Sequence, residues 1–428
     1  MAVTVVNVIP AMFSGETQRD SEPNIAVDPS NPQRIAASAF TPNPALTGAG
    51  PGPIFVSTDG GTTWNLNNVL PGGDRTGDVT LRFATSSGIL YAGILRFDNG
   101  NLEILRSANF TAAGLMTVLV DRANDDQPYV EATTALGGAG AGSDRVYVPC
   151  NDTSQRLTTG HTASVDESGN AGTAAPPAGF GAPVRLEPRA TASLGPGAGS
   201  QDGPSVRVAI HPQGRIYSVY FGWRTFATPT NTTDVVVVRD DNWGLGGYAA
   251  ITDFSDAQAG VLVVTGRAVA ALGSTLGTQR IGSHIAIAVD PRDPNIVYIA
   301  WCDGTAGAYT LRVRRSLLGG ISGSWSGDLR VIASATNPGL AINSRGRVGL
   351  LYQRLITGPN RWETHLEETT NGFATKTDTI LARVPDANGT YTGNNPIGDY
   401  ASLIAVGKDF YGIFSGNNTP NNANFPSL

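Results

Sequence analysis

SEPNIAVDPSNPQRIAASAF (residues 21–40) and GSHIAIAVDPRDPNIVYIAW (residues 282–301) are two copies of one module. An apolar strand runs into an Asp-Pro turn, and a second strand rich in Ile, Val, Tyr and small residues returns. The same pattern recurs at 78–95, 203–223, 337–353 and 398–415, and in a weaker form with a longer turn at 127–149. A third strand follows most copies, as in PIFVSTD (53–59), DVVVVRDD (234–241) and YTLRVRRS (309–316). A unit of four strands recurring in this way predicts a radial array of small sheets, an all-β propeller of four-stranded blades. Closing the ring removes the exposed edges that an open sheet of this size would carry. Seven blades is the favoured count; six is the alternative, if the weak third copy is an insertion. The last copy has few residues after its second strand, so the N-terminal strand VTVVNVI (3–9) is expected to complete the last blade.

Composition agrees with this. Of 428 residues, 53 are Gly and 27 Pro, a turn-rich balance, yet 40% are apolar, enough to build a core. Charge at 15% is too low for a disordered chain, and glycine has no three-residue period. Net charge is -6 with no basic run, which leaves nucleic acid without an electrostatic footprint. No apolar run is long enough to span a membrane. The two cysteines, Cys150 and Cys302, end equivalent strands of different blades and read as buried small apolar residues rather than a disulfide. Residues 1–428 are expected to form a single propeller domain with a Gly/Pro-rich insertion near 150–202. Residues 1–10 read as a strand rather than a leader, yet a secreted or periplasmic location is the favoured expectation. Oligomeric state is not legible.

Ser57-Thr58-Asp59-Gly60-Gly61-Thr62-Thr63-Trp64 fits S-x-D-x-G-x-x-W between a third and a fourth strand. A carboxylate in a tight turn accepts backbone N–H bonds, glycines allow positive φ, and the tryptophan covers the hairpin end. Decayed copies stand at Arg239–Trp243 and Ser316–Trp325. The motif resembles the Asp-box, or BNR repeat, of the sialidase superfamily, in which Ser57, Asp59, Gly61 and Trp64 are structural. GDY (398–400) and FSGNNTP (414–420) extend the resemblance to a bacterial sialidase-like group over nearly the whole chain.

The resemblance implies cleavage of glycosidic bonds at the central mouth, by an arginine triad, an aspartate acid and a tyrosine–glutamate nucleophile pair. Residues just before each first strand and just after each second strand should ring that mouth. They give candidate catalytic residues Asp399, Tyr400, Asp126, Asp202 and Glu22. Candidate substrate-binding residues are Arg19, Arg96, Trp223, Arg224, Trp301 and Arg354. Arginines clamp carboxylates through two parallel bonds, and tryptophans stack on sugar faces. Tyr400 is the nucleophile candidate because GDY opens an inner strand. Its glutamate partner is unassigned among Glu22, Glu131 and Glu363, and the family's Arg-Ile-Pro element is absent from the first blade. Structural readings stand beside these: Asp and Asn before strands cap turns, and Trp223 and Trp301 equally suit packing between blades. Four scattered histidines and no C-x-x-C give no zinc motif, so no metal and no cofactor is assigned; calcium on mouth or turn carboxylates is left open. The favoured reading is a sialidase-like glycoside hydrolase with a glycan partner. The alternatives are a lectin-like glycan-binding propeller or a protein-binding scaffold.

Overall fold

The computed structural model describes residues 3–8, 21–40, 54–67, 76–96, 99–112, 114–123, 125–138, 140–152, 162–173, 175, 179–190, 206–227, 229–271, 276–277, 279, 284–305, 307–386 and 397–416. Arg19, Asp202 and much of the 150–202 insertion lie outside the described residues. Within them there are strands and turns and no α-helix, and no helix is long and apolar enough to cross a membrane.

The strands follow one another as antiparallel meanders, numbered here as sheets in chain order. Sheet 1 is Ser21–Val27, Ile35–Phe40, Ile54–Ser57 and Asn65–Asn67; sheet 2 is Thr76–Phe83, Leu90–Arg96, Leu102–Ser107 and Thr117–Arg122. Sheet 3 is Glu131–Thr134, Asp144–Asp152, Thr162–Ser168 and Val184–Arg185, with Asp125–Asp126 paired to its second strand. Sheet 4 is Val206–Ile210, Ile216–Thr225, Thr230–Asp240 and Val261–Ala270. Sheet 5, joined to sheet 4 by a single parallel bridge between Val269 and Gly304, is Ile285–Asp290, Asp293–Thr305, Ala308–Ser316 and Arg330–Ala333. Sheet 6 is Ala335–Ile342, Val348–Ile356, Arg361–Thr369 and Thr377–Pro385, and sheet 7 the hairpin Ser402–Val406 and Asp409–Ile413. The weak third copy, on which the choice between seven and six turns, forms its own sheet.

Most apolar clusters are shared by two successive sheets, and one joins sheets 4, 5 and 6. Val56 meets Leu81 and Ile94, Val148 meets Leu102 and Ile104, and Trp223 packs with Trp301. The last such cluster joins Ile25 and Ile35 of sheet 1 to Ile404 and Ile413 of sheet 7, which closes the ring. Sheets therefore have both faces covered. This explains why strands such as Val235–Val238 are apolar without alternation and fully buried. Each such side chain contributes roughly 1.5–3 kcal/mol. First strands neighbour one another around the axis, and sheet 7 returns to sheet 1. The N-terminal segment lies where the closing strand is expected. Val3 and Val5 pack against the cluster that holds Leu351 and Leu403, and Val8 against the one that holds Ile25 and Ile404, but residues 3–8 join through side chains and are not part of a ladder.

The turn after the third strand is built the same way in several sheets. In sheet 1, Gly61 N–H donates to Ser57 Oγ at 2.9 Å, and Thr63 N–H and Oγ1 donate to the two Asp59 oxygens at 2.9 and 2.6 Å. Trp64 Nε1 donates to the Gly61 carbonyl at 3.0 Å. In sheet 5, Gly320 N–H donates to Ser316 Oγ at 3.0 Å and Trp325 Nε1 to the Gly320 carbonyl at 3.1 Å. Gly61 and Gly320 have φ of 89° and 75°, which glycine adopts without a Cβ clash. In sheet 4, Asp240 stands in the serine's place and takes Gly244 N–H at 2.8 Å, so Trp243 occupies a glycine position of the turn rather than the tryptophan one. Sheet 6 carries a copy the sequence reading missed: Thr369 Oγ1 accepts Phe373 N–H at 3.1 Å, and Asn371 Oδ1 accepts Thr375 N–H at 3.0 Å.

Candidate active site

The entry to the first strand is kinked in a recurrent way. Glu22, Gln127 and Asn337 each precede a proline and have φ of 55°, 52° and 52°, the left-handed region that costs a non-glycine residue energy. The ladder shifts register across Ser21/Asn24, Thr76/Val79 and Thr336/Gly339, which re-aims the residues at the bulge. In sheet 7, Gly398, at φ 74°, stands just before Asp399 and Tyr400.

These entries bring together groups from five sheets. Tyr400, 9% exposed, donates its hydroxyl to Asp78 Oδ1 at 3.1 Å. Burial, then the Asp78 and Glu22 charges, push its phenol well above the ordinary range, with Arg207 opposing them. Tyr129 stands edge-on to Tyr400 with ring centres 6.1 Å apart and donates to Ser402 Oγ at 3.3 Å. The Arg207 guanidinium lies 4.0 Å from the centre of the Tyr129 ring and 5.7 Å from that of Tyr400. Glu131 accepts from Arg82 at 2.5 Å, and burial outweighs that arginine to raise its carboxyl. On the neighbouring entries, burial and then Arg207 hold the His284 imidazole down to about 3, so it is neutral; it bonds Thr336 Oγ1 at 2.8 Å and Gln279 Nε2 at 3.0 Å.

The arrangement holds a neutral phenol against a carboxylate able to take its proton. A second carboxyl and a guanidinium act on the same ring. It can activate an oxygen nucleophile or move a proton, and it can pair with an anionic group.

Of the sequence candidates, Tyr400 and Glu22 belong to this constellation, and Asp399 bonds His284 through its backbone. Asp126 Oδ1 instead accepts Gln127 N–H at 2.8 Å, so it braces the kink while Gln127 takes the position equivalent to Glu22. Asp125 is buried in a separate cluster, where burial, then Asp152 and Asp166, push its carboxyl up to about 8. Trp223 and Trp301 correct the stacking expectation. Both are 0% exposed, and a ring enclosed between sheets 4 and 5 has no face to offer a sugar. Trp223 packs at a tilt against Phe221 and Phe226, with ring centres 5.7 and 5.4 Å away, and Trp301 donates Nε1 to Asp303 at 2.8 Å. Arg224 is likewise committed, to Glu187 at 3.0 Å and Asp234 at 2.7 Å. Arg96 pairs with Glu103 at 3.2 Å, and Arg354 is an exposed strand residue opposite Glu363. Glu363 itself is held by Arg361 and Arg383, away from any tyrosine partnership. Arg207, Arg82 and Tyr129 were missed. The available signal was charge inside first strands, in TLRF and VRVAI, where an apolar ladder has no packing reason to carry arginine.

No family model matches the sequence, and no curated protein does. Among solved structures the chain is similar to a PL25 polysaccharide lyase, an ulvan lyase, at 12% identity and a TM-score of 0.52, covering 94% of each chain. The complex of that lyase with -[GlcA(1-4)Rha3S]- gives 12% identity and a TM-score of 0.51 over the same shares. A GH93 α-L-arabinofuranosidase of Fusarium graminearum, in complex with arabinobiose, is more distant at 11% identity and a TM-score of 0.44, covering 87% of this chain and 95% of that one. The likeness to the lyase shows the fold: the chain is an all-β propeller.

Proposed function

We propose that this propeller is a carbohydrate-active enzyme that cleaves glycosidic bonds where the first strands open, with Tyr400 as nucleophile. The observation that carries the reading is the Tyr400–Asp78 hydrogen bond, with Glu22 and Arg207 acting on the same phenol. Asp78 takes the phenolic proton as Tyr400 Oη bonds to the anomeric carbon. The departing oxygen takes a proton from a second carboxyl, the role given to Glu22. Water then attacks the anomeric carbon, its proton passes to Glu22, and Tyr400 recovers its own from Asp78. Arg207 pairs with a carboxylate on the sugar. An enzyme of the sialidase superfamily is the finer reading; the recurring serine-anchored turns and the tyrosine–carboxylate pair support it. On this reading residues 1–428 act as one propeller unit.

The test is release of reducing ends from sialosides, aryl glycosides and acidic polysaccharides, with unsaturated products monitored in parallel. Turnover that Tyr400→Phe abolishes without lowering Tm is expected. Saturable glycan binding without turnover would replace the enzyme by a lectin-like propeller. Turnover indifferent to both Tyr400→Phe and Asp78→Asn would remove the site.

A further inference from the structure

Sheet 6 carries a row of charge at the mouth end of its strands, outside the constellation around Tyr400. Register sets Arg354 opposite Ala335, Glu363 opposite Arg354 and Arg383 opposite Glu363, so the row runs outward from the entry of the first strand. Residues opposite one another on neighbouring strands share a face, and Arg361, two before Glu363, lies on it too. A strand spacing of about 4.8 Å puts Arg354 and Arg383 roughly 10 Å apart along the row. Arg361 donates to Glu363 Oε1 through Nε and a terminal nitrogen, at 3.2 and 2.6 Å, and Arg383 to the same oxygen through Nε alone, at 3.1 Å.

The row holds more positive charge than the fold uses. Burial would raise the Glu363 carboxyl, but Arg361 and Arg383 outweigh it and hold the group below the ordinary carboxylate range, so it stays ionised and fixes both guanidiniums. One arginine neutralises it. Arg354 makes no ion pair among the described residues. Further along the same face, Glu367 and Asp378 are matched by Arg330 and Lys376, at 2.7 and 3.4 Å from Glu367, and Asp378 bonds His365 at 3.0 Å. Asp386 belongs to the other face, where it takes Trp362 Nε1 at 2.9 Å. Three arginines against Glu363 therefore leave two positive charges unmatched, in a chain whose net charge is -6. They are open to solvent: Arg354 is exposed, and the Arg361 and Arg383 side chains are 38% and 43% exposed against 9% for Glu363. Like charges side by side on a sheet are destabilising, so an ion pair that served the fold alone has no use for the second and third arginines. A guanidinium matches a carboxylate or a sulfate through parallel N–H bonds. A single small anion reaches one end of such a row; an anion repeated along a polymer reaches both, and the inner end stands beside the mouth.

We propose that Arg354, Arg361 and Arg383 form a binding row for the carboxylate or sulfate groups of an acidic polysaccharide, with Glu363 positioning two of the three guanidiniums. The polymer lies along the mouth end of sheet 6. The proposal rests on the glycan partner of the reading above and not on its reaction, because binding is measured without turnover.

Binding of the full-length protein to polygalacturonate, dextran sulfate and neutral dextran is followed by calorimetry. Saturable binding of an acidic polymer and none of dextran is expected; preference for polygalacturonate identifies carboxylate as the group recognised, and preference for dextran sulfate identifies sulfate. Arg354→Gln, at an exposed arginine with no ion pair to lose, should weaken that binding about tenfold with Tm unchanged, and Arg383→Gln should do likewise. Arg345→Gln, the same charge change at the exposed turn on the other end of sheet 6, should leave affinity unchanged. Tyr400→Phe should keep the affinity whether or not it abolishes turnover, so failure of the mouth and failure of the row are read separately. If Arg383→Gln lowers Tm, Arg354→Gln decides. No acidic polymer bound, dextran bound as tightly, affinity unchanged by Arg354→Gln, or an equal loss from Arg345→Gln would overturn the proposal.

Discussion

At the end of the third strand, sheets 1 and 5 do the same thing: Ser57 and Ser316 each accept a glycine N–H, at 2.9 and 3.0 Å, and Trp64 and Trp325 each close the hairpin by donating to a glycine carbonyl. At the start of the first strand the same two sheets share nothing. One presents Glu22, whose charge acts on Tyr400, and the other His284, a neutral imidazole bonded to Thr336 and Gln279. Every hairpin leaves the same backbone donors to be satisfied, so its chemistry repeats. The mouth has one axis and takes a different group from each sheet, so its chemistry does not repeat. Repetition therefore marks what holds this fold together, and departure from it marks where to look for function.

The largest effect should fall on activity alone. Tyr400→Phe keeps the ring and removes the proton held by Asp78, so turnover should drop about 10²–10⁴-fold with Tm unchanged, as should Asp78→Asn. Reducing-end assays beside thermal unfolding read both quantities. An equal loss of turnover from Ser57→Ala would break the division between turn and mouth. The largest effect on stability should come from the enclosed ring: Trp301→Ala should cost about 3–5 kcal/mol in denaturant unfolding, because removing a fully buried indole leaves a cavity, while Asp303 keeps Arg267 and Arg312. Ser57→Ala and Ser316→Ala should each cost about 1–3 kcal/mol, the penalty of an orphaned buried N–H, and leave turnover intact. Unequal costs would mean that the two turns are alike in geometry and not in energy.

The ring could be read from the repeat because a strand–turn–strand module keeps its apolar pattern even when its turn changes length. The turn in sheet 6 escaped because Thr369, Asn371 and Phe373 replace Ser57, Asp59 and Gly61 while the hydrogen bonds persist. Function groups survived where residue letters did not. At the mouth the reading fell one residue short in sheet 3, choosing Asp126 over Gln127. The recurrent X-Pro step at Glu22, Gln127 and Asn337 would have set that register. Trp223 and Trp301 misled because a sheet covered on both faces offers no alternation to separate rim from core. The row of Arg354, Glu363 and Arg383 has no local spacing at all, since its members come from three strands that only the ladder aligns.

The smallest predicted effect separates the three turns by their titration. Asp59 is pulled down to about 2, first by the Thr63 hydroxyl, then by the Thr63 N–H and the Ser57 hydroxyl. Its folded value lies below the ordinary 3.8, so between these limits the unfolded chain takes up a proton before the folded one does. The stabilisation is complete above pH 3.8 and is lost as the pH falls through about 2. Asp59 is partly exposed, so water and salt screen it and the effect is small. Asn371 accepts the matching N–H in sheet 6 without a charge to lose, and in sheet 5 the same place is Leu318. Asp59→Asn should therefore keep the turn and remove its acid limb: the Tm difference from wild type stays constant above pH 3.8 and narrows toward pH 2. Asn371→Asp should create such a limb in sheet 6, where none exists. A Tm difference independent of pH in both variants would mean that the carboxylate shapes the turn through its oxygen alone, and that its charge contributes nothing to holding the hairpin closed.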